Sequence, residues 1–449
     1  MNSYWRKYRS HYADITRLSL PIMVAQLGTI ITGYADTIMV GHYSTPALAS
    51  ASFVSNVFNL ALMLSLGFSY GITPLIGVLF SKGEKTEAGA MLRMATVANV
   101  AYGALLFGGM TAFYFCLGHI GQPPELLPLI RGYYLLVLAS LVPVVGTNVM
   151  RQFTDATGHT KLGMWIFTIG NVANIAGNYL LIYGKFGAPE LGLMGAGWST
   201  LGSRVMMCVA YLGVILLSAR YRPYCEGFAK ARVKVAQVRE VAAKSMPVSM
   251  QLGMETGIFT LAGIVVGWLG TNSMAAYQIL VIFGSIGFMV YYAFGAGMAI
   301  KIAHYKGVGD VDGVRRTAHA GYMLTLVCTA LACTVFVTWG NHIIGLFTRD
   351  AAVAAIATGL LWALVLYQLG DATQIAFASA LRGIGQVKPM MNCAFLAYVV
   401  LGLPLIFVLG LPQHLGLLGI YLAFFVALLS AGILFLRNFR KAIGPGRVW

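Results

Sequence analysis

Apolar residues follow one another in runs long enough to cross a lipid bilayer as helices, because about 20 such residues span the hydrocarbon core. Short polar stretches separate the runs. The pattern predicts an all-α polytopic membrane protein with about 12 transmembrane helices. We place them at residues 18–41, 50–79, 92–117, 128–150, 162–183, 193–217, 246–269, 276–300, 318–340, 353–380, 391–411 and 416–436.

The spacing of proline and glycine residues repeats along the chain. A shift of 226 residues brings Pro21 onto Pro247 and Gly71 onto Gly297, and LGLMG at 191–195 matches LGLLG at 415–419. Each copy holds about six spans, and an even number returns the chain to its starting side. The repeat predicts two pseudo-symmetric six-helix bundles with the same orientation and a central cleft. Their predicted limits are residues 1–217 and 246–449, joined by a basic linker at 218–245.

Charge then orients the chain in the membrane. Only 10% of the residues are charged, against 58% hydrophobic, and the formal net charge is +16. With the amino terminus in the cytoplasm, 26 of the 30 Lys and Arg residues lie in the tails and loops of that side. Basic residues accumulate in cytoplasmic loops. The distribution therefore predicts that both termini are cytoplasmic and that the basic residues meet the lipid bilayer rather than nucleic acid.

Three carboxylates lie well inside predicted spans: Asp36, Glu255 and Asp371. Each costs about 2.5–3.5 kcal/mol in a membrane if it stays unpaired. Arg204 is the only basic residue that the pattern places clearly inside a span, and it cannot serve all three. We therefore expect the carboxylates to face a cavity, cations or protons. The repeated scaffold does not require them, because the corresponding residues of the other copy are Ala262 for Asp36, Thr29 for Glu255 and Val144 for Asp371.

Oxygen-bearing side chains accompany the carboxylates. Gln251 precedes Glu255 by four residues, and Tyr367 precedes Asp371 by four, so each pair shares a helix face. The fifth span carries a stripe of amides, which either completes an oxygen cage with Asp36 or bonds to neighbouring helices. Such ligands suit a hard monovalent cation or a proton. The stripe consists of Asn171, Asn174 and Asn178.

Several classes of function lack their motifs. The chain has no GxxxxGK[ST] sequence, so transport would need an ion gradient rather than a built-in ATP motor. The six cysteines include no CxxC pair, and no metal site of His and Cys is predicted. An intramembrane aspartyl protease would need YD and GxGD, whereas the chain reads Tyr34-Ala35-Asp36 and Gln368-Leu369-Gly370-Asp371. We therefore predict a protein that is not an enzyme and that uses no cofactor besides a coupling ion.

The sequence resembles the MATE family of multidrug and toxin extruders over essentially its whole length. The resemblance is carried by LSLPIMVAQLGTIITGYADTIMVGHYS at 18–44, by PVSMQLGMETGIF at 247–259 and by the six-plus-six repeat. The bacterial NorM branch is the most similar, on the combination of Asp36, Glu255, Tyr367 and Asp371. The resemblance implies a V-shaped pair of six-helix lobes in the bacterial inner membrane.

The resemblance also implies a function. Such proteins export small cationic, amphipathic drugs and dyes in exchange for Na⁺, H⁺ or both, by alternating access, and the family expectation is a monomer. By motif position, Glu255, Asp371 and Tyr367 form the Na⁺ site of the second lobe. The first-lobe site is expected at Asp36, Asn174 and Asn178, where Asn178 stands in place of a second aspartate of some relatives. Drug binding is expected at Asp36, Glu255, Asp371 and Gln251.

Two other functions stay open at this point. A lipid-linked oligosaccharide flippase of the wider superfamily would need a strongly basic cleft for pyrophosphate, whereas the acids inside the spans favour a cationic cargo. A passive channel would not move ethidium uphill. The sequence does not decide between Na⁺ and H⁺, because a carboxylate binds either.

Overall fold

The computed structural model describes residues 2–119, 121, 123–411 and 415–444, with backbone alone for 2–6. Within these residues the chain is helical throughout and forms no strand. The helices of its first half are α1 Asn2–Tyr43, α2 Thr45–Ser69, α3 Ile72–Ser81, α4 Lys85–Cys116, α5 Leu127–Ala156, α6 Thr160–Tyr183, α7 Leu193–Leu217 and α8 Arg222–Lys230. Those of its second half are α9 Val235–Trp268, α10 Thr271–Gly307, α11 Val311–Phe347, α12 Ala351–Gly359, α13 Leu361–Ile384, α14 Val387–Ala394, α15 Leu403–Gly410 and α16 Leu417–Ala442.

Among the described residues, 11 helices are long and apolar enough to cross a membrane, and a bent pair raises the number to 12. The prediction of about 12 spans is confirmed. The helices are longer than predicted at many ends: α9 begins at Val235 rather than at residue 246, and α11 covers 311–347 rather than 318–340. An apolar window detects only the part of a helix that crosses hydrocarbon, whereas polar turns continue the same hydrogen-bond ladder beyond it.

Three predicted spans are interrupted. The span at 50–79 breaks at Tyr70 and Gly71 between α2 and α3. The span at 353–380 consists of α12 and α13, which meet at an angle of 46°. The span at 391–411 contains a π-helical segment, Phe395–Gly402, just before Pro404. Because proline has no N–H to donate, the preceding turn loses its regular α-helical partner.

The backbone confirms the internal repeat. Glycines at corresponding positions adopt the same left-handed conformation, with φ values of 78° and 76° at Gly83 and Gly309. Gly192 and Gly416, which are 224 residues apart, have φ values of 55° and 56° and begin α7 and α16. A side chain would strain such turns, which explains why both copies keep glycine there.

The chain forms two compact units. The amino-terminal unit comprises residues 24–249, and the carboxy-terminal unit comprises residues 1–23 with 250–449. The two points at which the chain passes between units, within α1 and α9, correspond under the shift of 226. In the carboxy-terminal unit, a Lys301–Asp14 salt bridge of 2.6 Å ties the start of α1 to α10.

The predicted linker 218–245 is largely helical and packs within the amino-terminal unit. Its helix α8 crosses α4 at Gly89. The two backbones are so close there that a Cβ on Gly89 would overlap the carbonyl group of Tyr224. Arg93 of α4 donates from Nη1 to three carbonyl oxygens at the end of α8, those of Phe228 and Ala229 at 3.1 Å and that of Ala231 at 2.7 Å. The guanidinium thus caps a helix terminus that would otherwise leave carbonyls unsatisfied.

Candidate functional site

Glu255 is buried in the carboxy-terminal unit and accepts hydrogen bonds from two amides. Gln251, one turn earlier on α9, donates from Nε2 to Glu255 Oε2 over 2.6 Å. Gln374 of α13 donates to the same oxygen over 3.0 Å. The shared face of Gln251 and Glu255 follows from their spacing, whereas Gln374 was not predicted. The sequence could have indicated Gln374, because it follows Asp371 by three residues and therefore lies on the same helix face.

Asp371 lies near Glu255 and lacks donors. Its side chain is 1% exposed, and within the described residues neither carboxylate oxygen has a hydrogen-bond partner. The Oε1 atoms of Gln368 and Gln374 are buried on the same helix and likewise have none there. Electrostatic interaction links Asp371 to Glu255 and to Tyr367. Asp371 and the two amide oxygens lack donors, and Glu255 adds a second buried carboxylate. The group therefore requires protons or a cation, because burying an unpaired charge is costly.

Aromatic rings surround Tyr367. Its ring centroid lies 6.2 Å from that of Phe259, 6.1 Å from that of Tyr421 and 6.1 Å from that of Phe424. These rings come from α9, α13 and α16. Ring faces attract cations, so the wall suits a positively charged occupant and excludes water from the carboxylates.

The π-helical segment places Tyr398 beside the carboxylates. Its side chain is fully buried and interacts electrostatically with Glu255 and Asp371. An α-helical reading of the span would give its ring a different direction, since a π-turn rotates all later side chains. For this reason the sequence alone did not single out Tyr398.

Two basic residues besides Arg204 lie buried in helices, at ends that continue past the predicted spans. Arg382 lies in α13, is 7% exposed and interacts electrostatically with Glu255. Arg151 lies buried in α5 and forms a salt bridge of 3.7 Å with Asp155. The sequence pattern had assigned both to loops, but α5 and α13 continue past their apolar runs and carry these side chains into the packed interior.

Asp36 belongs to the amino-terminal unit, whereas Glu255 and Asp371 belong to the carboxy-terminal unit. Its Oδ1 accepts a short hydrogen bond from Nδ2 of Asn178, which also donates to Asn174 Oδ1 over 3.4 Å. Asn174 in turn donates to Thr200 and Ser203 of α7, over 3.4 and 3.5 Å. The stripe therefore bonds to a neighbouring helix, which is one of the two predicted roles. It meets Asp36 with an amide nitrogen, and the oxygen cage stays a prediction.

Asn171 does not join this chain of hydrogen bonds. Its Nδ2 is buried and has no hydrogen-bond partner in the described residues. The same atom packs against Gly28, where a Cβ would lie 2.9 Å from it. Of the predicted residues, the structure thus brings Asp36, Asn174 and Asn178 together in one unit. It brings Gln251, Glu255, Tyr367 and Asp371 together in the other.

A family model described as MatE matches residues 21–180 and 247–408. The two matches begin at Pro21 and Pro247, the same positions that the repeat brings together, and they cover most of the chain. The chain belongs to the MatE family. The match confirms the predicted family, and the doubled match agrees with the internal repeat of its backbone.

Relatives of the MatE chain carry the name predicted for its branch. It is 28% identical to a probable multidrug resistance protein NorM of Xanthomonas campestris over 94% of this chain and 93% of the relative. It is also 28% identical to the multidrug resistance protein NorM of Vibrio cholerae over 95% of both. A solved eukaryotic MATE transporter, 15% identical, covers 97% of this chain and 100% of its own with a TM-score of 0.86, which confirms the predicted MATE fold.

Proposed function

We propose that this MatE chain is a secondary active multidrug efflux antiporter that exports cationic, amphipathic drugs and dyes in exchange for Na⁺ or H⁺. One observation carries the proposal: Asp371 and Glu255 lie buried together, and Asp371 has no donor within the described residues. Two neighbouring buried carboxylates repel each other, and a bound proton or small cation removes that repulsion. The names of the NorM relatives support multidrug efflux.

The coupling ion binds Asp371, Glu255 and Tyr367 from the outside. It neutralises the two carboxylates, and a bound drug thereby loses its counter-charge and leaves. When the ion is released inward, the carboxylates regain their charge and attract the next cation. Drug and ion thus lower each other's affinity, and by linkage the effect is equal in both directions.

Drug contacts are proposed at Gln251, Glu255 and Asp371 in the carboxy-terminal unit, with the aromatic rings near Tyr367 as their apolar surface. A further drug contact is proposed at Asp36 in the amino-terminal unit. An aromatic surface accepts many lipophilic cations, because its attraction depends on charge and area rather than on the placement of hydrogen bonds. The chain acts as a monomer in the bacterial inner membrane, with both termini in the cytoplasm.

The test is ethidium efflux from everted vesicles with the Na⁺ gradient and the pH gradient imposed separately. We expect uphill efflux driven by at least one gradient and its collapse when that gradient is dissipated. Glu255→Gln and Asp371→Asn should each reduce driven efflux to the rate of vesicles without the protein. Asp350→Asn is the matched control, because this exposed carboxylate only caps α12, with Ala352 N at 2.8 Å, and asparagine caps equally well.

Unchanged driven efflux in both Glu255→Gln and Asp371→Asn would contradict the site. Ethidium movement that follows its own gradient alone would instead indicate a passive channel. Asp36→Asn should also lower efflux, because it removes the carboxylate of the proposed first-lobe cation site at Asp36, Asn174 and Asn178, which is also a drug counter-charge. Full activity of this variant would reduce Asp36 to a structural or minor accessory role.

A further inference from the structure

The last turns of α16 carry three basic residues that the proposed function does not use. Arg437, Arg440 and Lys441 follow one another at helical spacing, so they lie on one side of the helix, and all three are exposed. The opposite side is buried in the carboxy-terminal unit at Phe435 and Phe439. This packing directs the three basic side chains, which we call the basic face, away from the unit.

Among the described residues, the basic face has no acidic partner. The ion pairs formed there involve other basic side chains. Capping of the helix does not explain the face either, because Arg315 of α11 already donates to the carbonyl oxygen of Ile443 over 3.4 Å. Arg437 also lies more than one turn before the end of α16, where the helix dipole has little effect. Three positive charges are thus available to an anion from outside the chain.

An exposed apolar stripe runs along α16 to the basic face. It consists of Val426 and Ile433, which are exposed, and of Leu429 and Leu436, which are partly exposed. Ile433 and Leu436 line an open groove of about 390 Å³ together with the basic face. One groove therefore combines cationic and apolar groups.

The repeated scaffold does not require the basic face. A shift of 224 residues places Gly213, Leu216 and Leu217 of α7 at the corresponding positions. The apolar stripe is repeated, because Val209 and Leu212 of α7 are exposed like their counterparts on α16. A membrane helix of this scaffold thus forms without the three charges, which belong to the second copy alone.

An anionic phospholipid matches both parts of the groove. Guanidinium groups bind phosphate oxygens through paired, charge-assisted hydrogen bonds. Basic pockets beside membrane helices bind anionic lipid headgroups in this way, and acyl chains cover an apolar stripe that follows the helix into the bilayer. A free phosphate ion or an acidic protein segment would use the charges and leave the stripe uncovered.

We propose that the basic face and the apolar stripe of α16 form a binding site for one anionic phospholipid. The phosphate group binds Arg437, Arg440 and Lys441, and an acyl chain lies against Ile433 and the residues of the stripe before it. A zwitterionic lipid binds less tightly, because its own cation adds a positive charge beside the basic face. The site is independent of drug and ion transport, so failure of the proposed function would leave it intact.

The test is native mass spectrometry of the purified chain in detergent, titrated with dioleoyl phosphatidylglycerol or with dioleoyl phosphatidylcholine. We expect phosphatidylglycerol to form a 1:1 complex with an affinity about 10-fold or more above that of phosphatidylcholine, since each basic residue contributes severalfold. Arg437→Gln/Arg440→Gln/Lys441→Gln should abolish this preference. Excess inorganic phosphate should not displace the lipid.

Lys82→Gln/Lys161→Gln/Lys388→Gln is the matched control. It removes the same number of charges from exposed lysines near the ends of α3, α6 and α14, and it should keep the preference. Equal binding of both lipids by the wild type, an unchanged preference without the basic face, or an equal loss in the control would each overturn the proposal. Complete displacement by inorganic phosphate would assign the face to a free anion and would overturn it as well.

Transfer of the basic face to α7 keeps the test decisive if its removal prevents folding. Gly213→Arg/Leu216→Arg/Leu217→Lys places the same residues at the corresponding positions, where both leucines are exposed and a Cβ on Gly213 meets nothing within 4 Å. We expect this variant to bind a second phosphatidylglycerol. A variant that still binds one would show that basic residues beside an apolar stripe do not make such a site, which contradicts the proposal.

Discussion

At the residue scale, Gln374 shows how a neutral side chain controls a buried charge. It lies on the helix of Asp371 and donates to Glu255 on another helix, so it joins the two carboxylates into one site. Hydrogen bonds to charged groups contribute about 1.5–3 kcal/mol. Glu255 keeps a single amide donor, Gln251, when Gln374 is removed.

We expect Gln374→Leu to strengthen binding of H⁺ about 10-fold or more, because Glu255 loses a donor that stabilises its charged, proton-free form. The concentration of H⁺ that gives half-maximal ethidium efflux measures the effect. Thr373→Val is the matched control: the neighbouring hydroxyl only bonds back to Leu369 of its own helix, at 2.8 Å, and to Tyr322, at 3.3 Å. An equal shift in both variants would contradict a specific role for Gln374.

At the element scale, glycines decide where helices approach one another. On α4, a Cβ at Gly89 would meet the backbone of α8, whereas one at Gly108 of the same helix would meet nothing within 4 Å. Backbone does not yield as a flexible side chain does. The linker helix α8 is therefore held against the amino-terminal unit by a contact that a single methyl group would break.

Gly89→Ala should lower the stability of the protein by about 1–3 kcal/mol, the usual cost of overpacking. Gly108→Ala should be neutral or stabilising by about 0.5–1 kcal/mol, since alanine favours the helix over glycine. Melting temperatures in detergent, followed by size-exclusion chromatography, give the comparison. Equal melting temperatures for the two variants would show that α8 does not pack on α4 as closely as in the structure.

At the scale of the whole molecule, the duplicated chain carries an asymmetric set of charges. The two copies share turns with matched glycine conformations, such as those at Gly83 and Gly309. The charged groups inside the spans are not shared: Asp36 and Arg204 occur in one copy, Glu255 and Asp371 in the other. The turns and helices are repeated because the same helix contacts must form in both copies. The charged side chains inside the two units differ.

The proposed topology predicts which loops reagents reach. With the native cysteines replaced, Asp312→Cys, in the first turn of α11, should react with a membrane-impermeant maleimide only in everted vesicles. Glu125→Cys, in the loop before α5, should react in intact cells whose outer membrane has been permeabilised. Both side chains are exposed acids, so the pair is matched in reactivity. Labelling from the same side would contradict the orientation predicted from Lys and Arg.

The sequence by itself determined the spans, the repeat and the three carboxylates inside the spans. These features are local: apolar length sets where a helix crosses the bilayer, and a charge within such a run is visible without any knowledge of its neighbours. The same reasoning placed Gln251 with Glu255 and Tyr367 with Asp371, because helical periodicity alone brings them to one face.

The tertiary structure alone decided the partners of those carboxylates. Gln374 of α13 donates to Glu255 of α9. The π-helical segment sets the direction of the Tyr398 side chain. Arg382 is buried because α13 continues beyond its apolar run. It also placed Asp36 in the amino-terminal unit, with Asn178 as its donor and Asn174 next along the amide stripe. Contacts between helices depend on packing and register, which hydropathy does not encode.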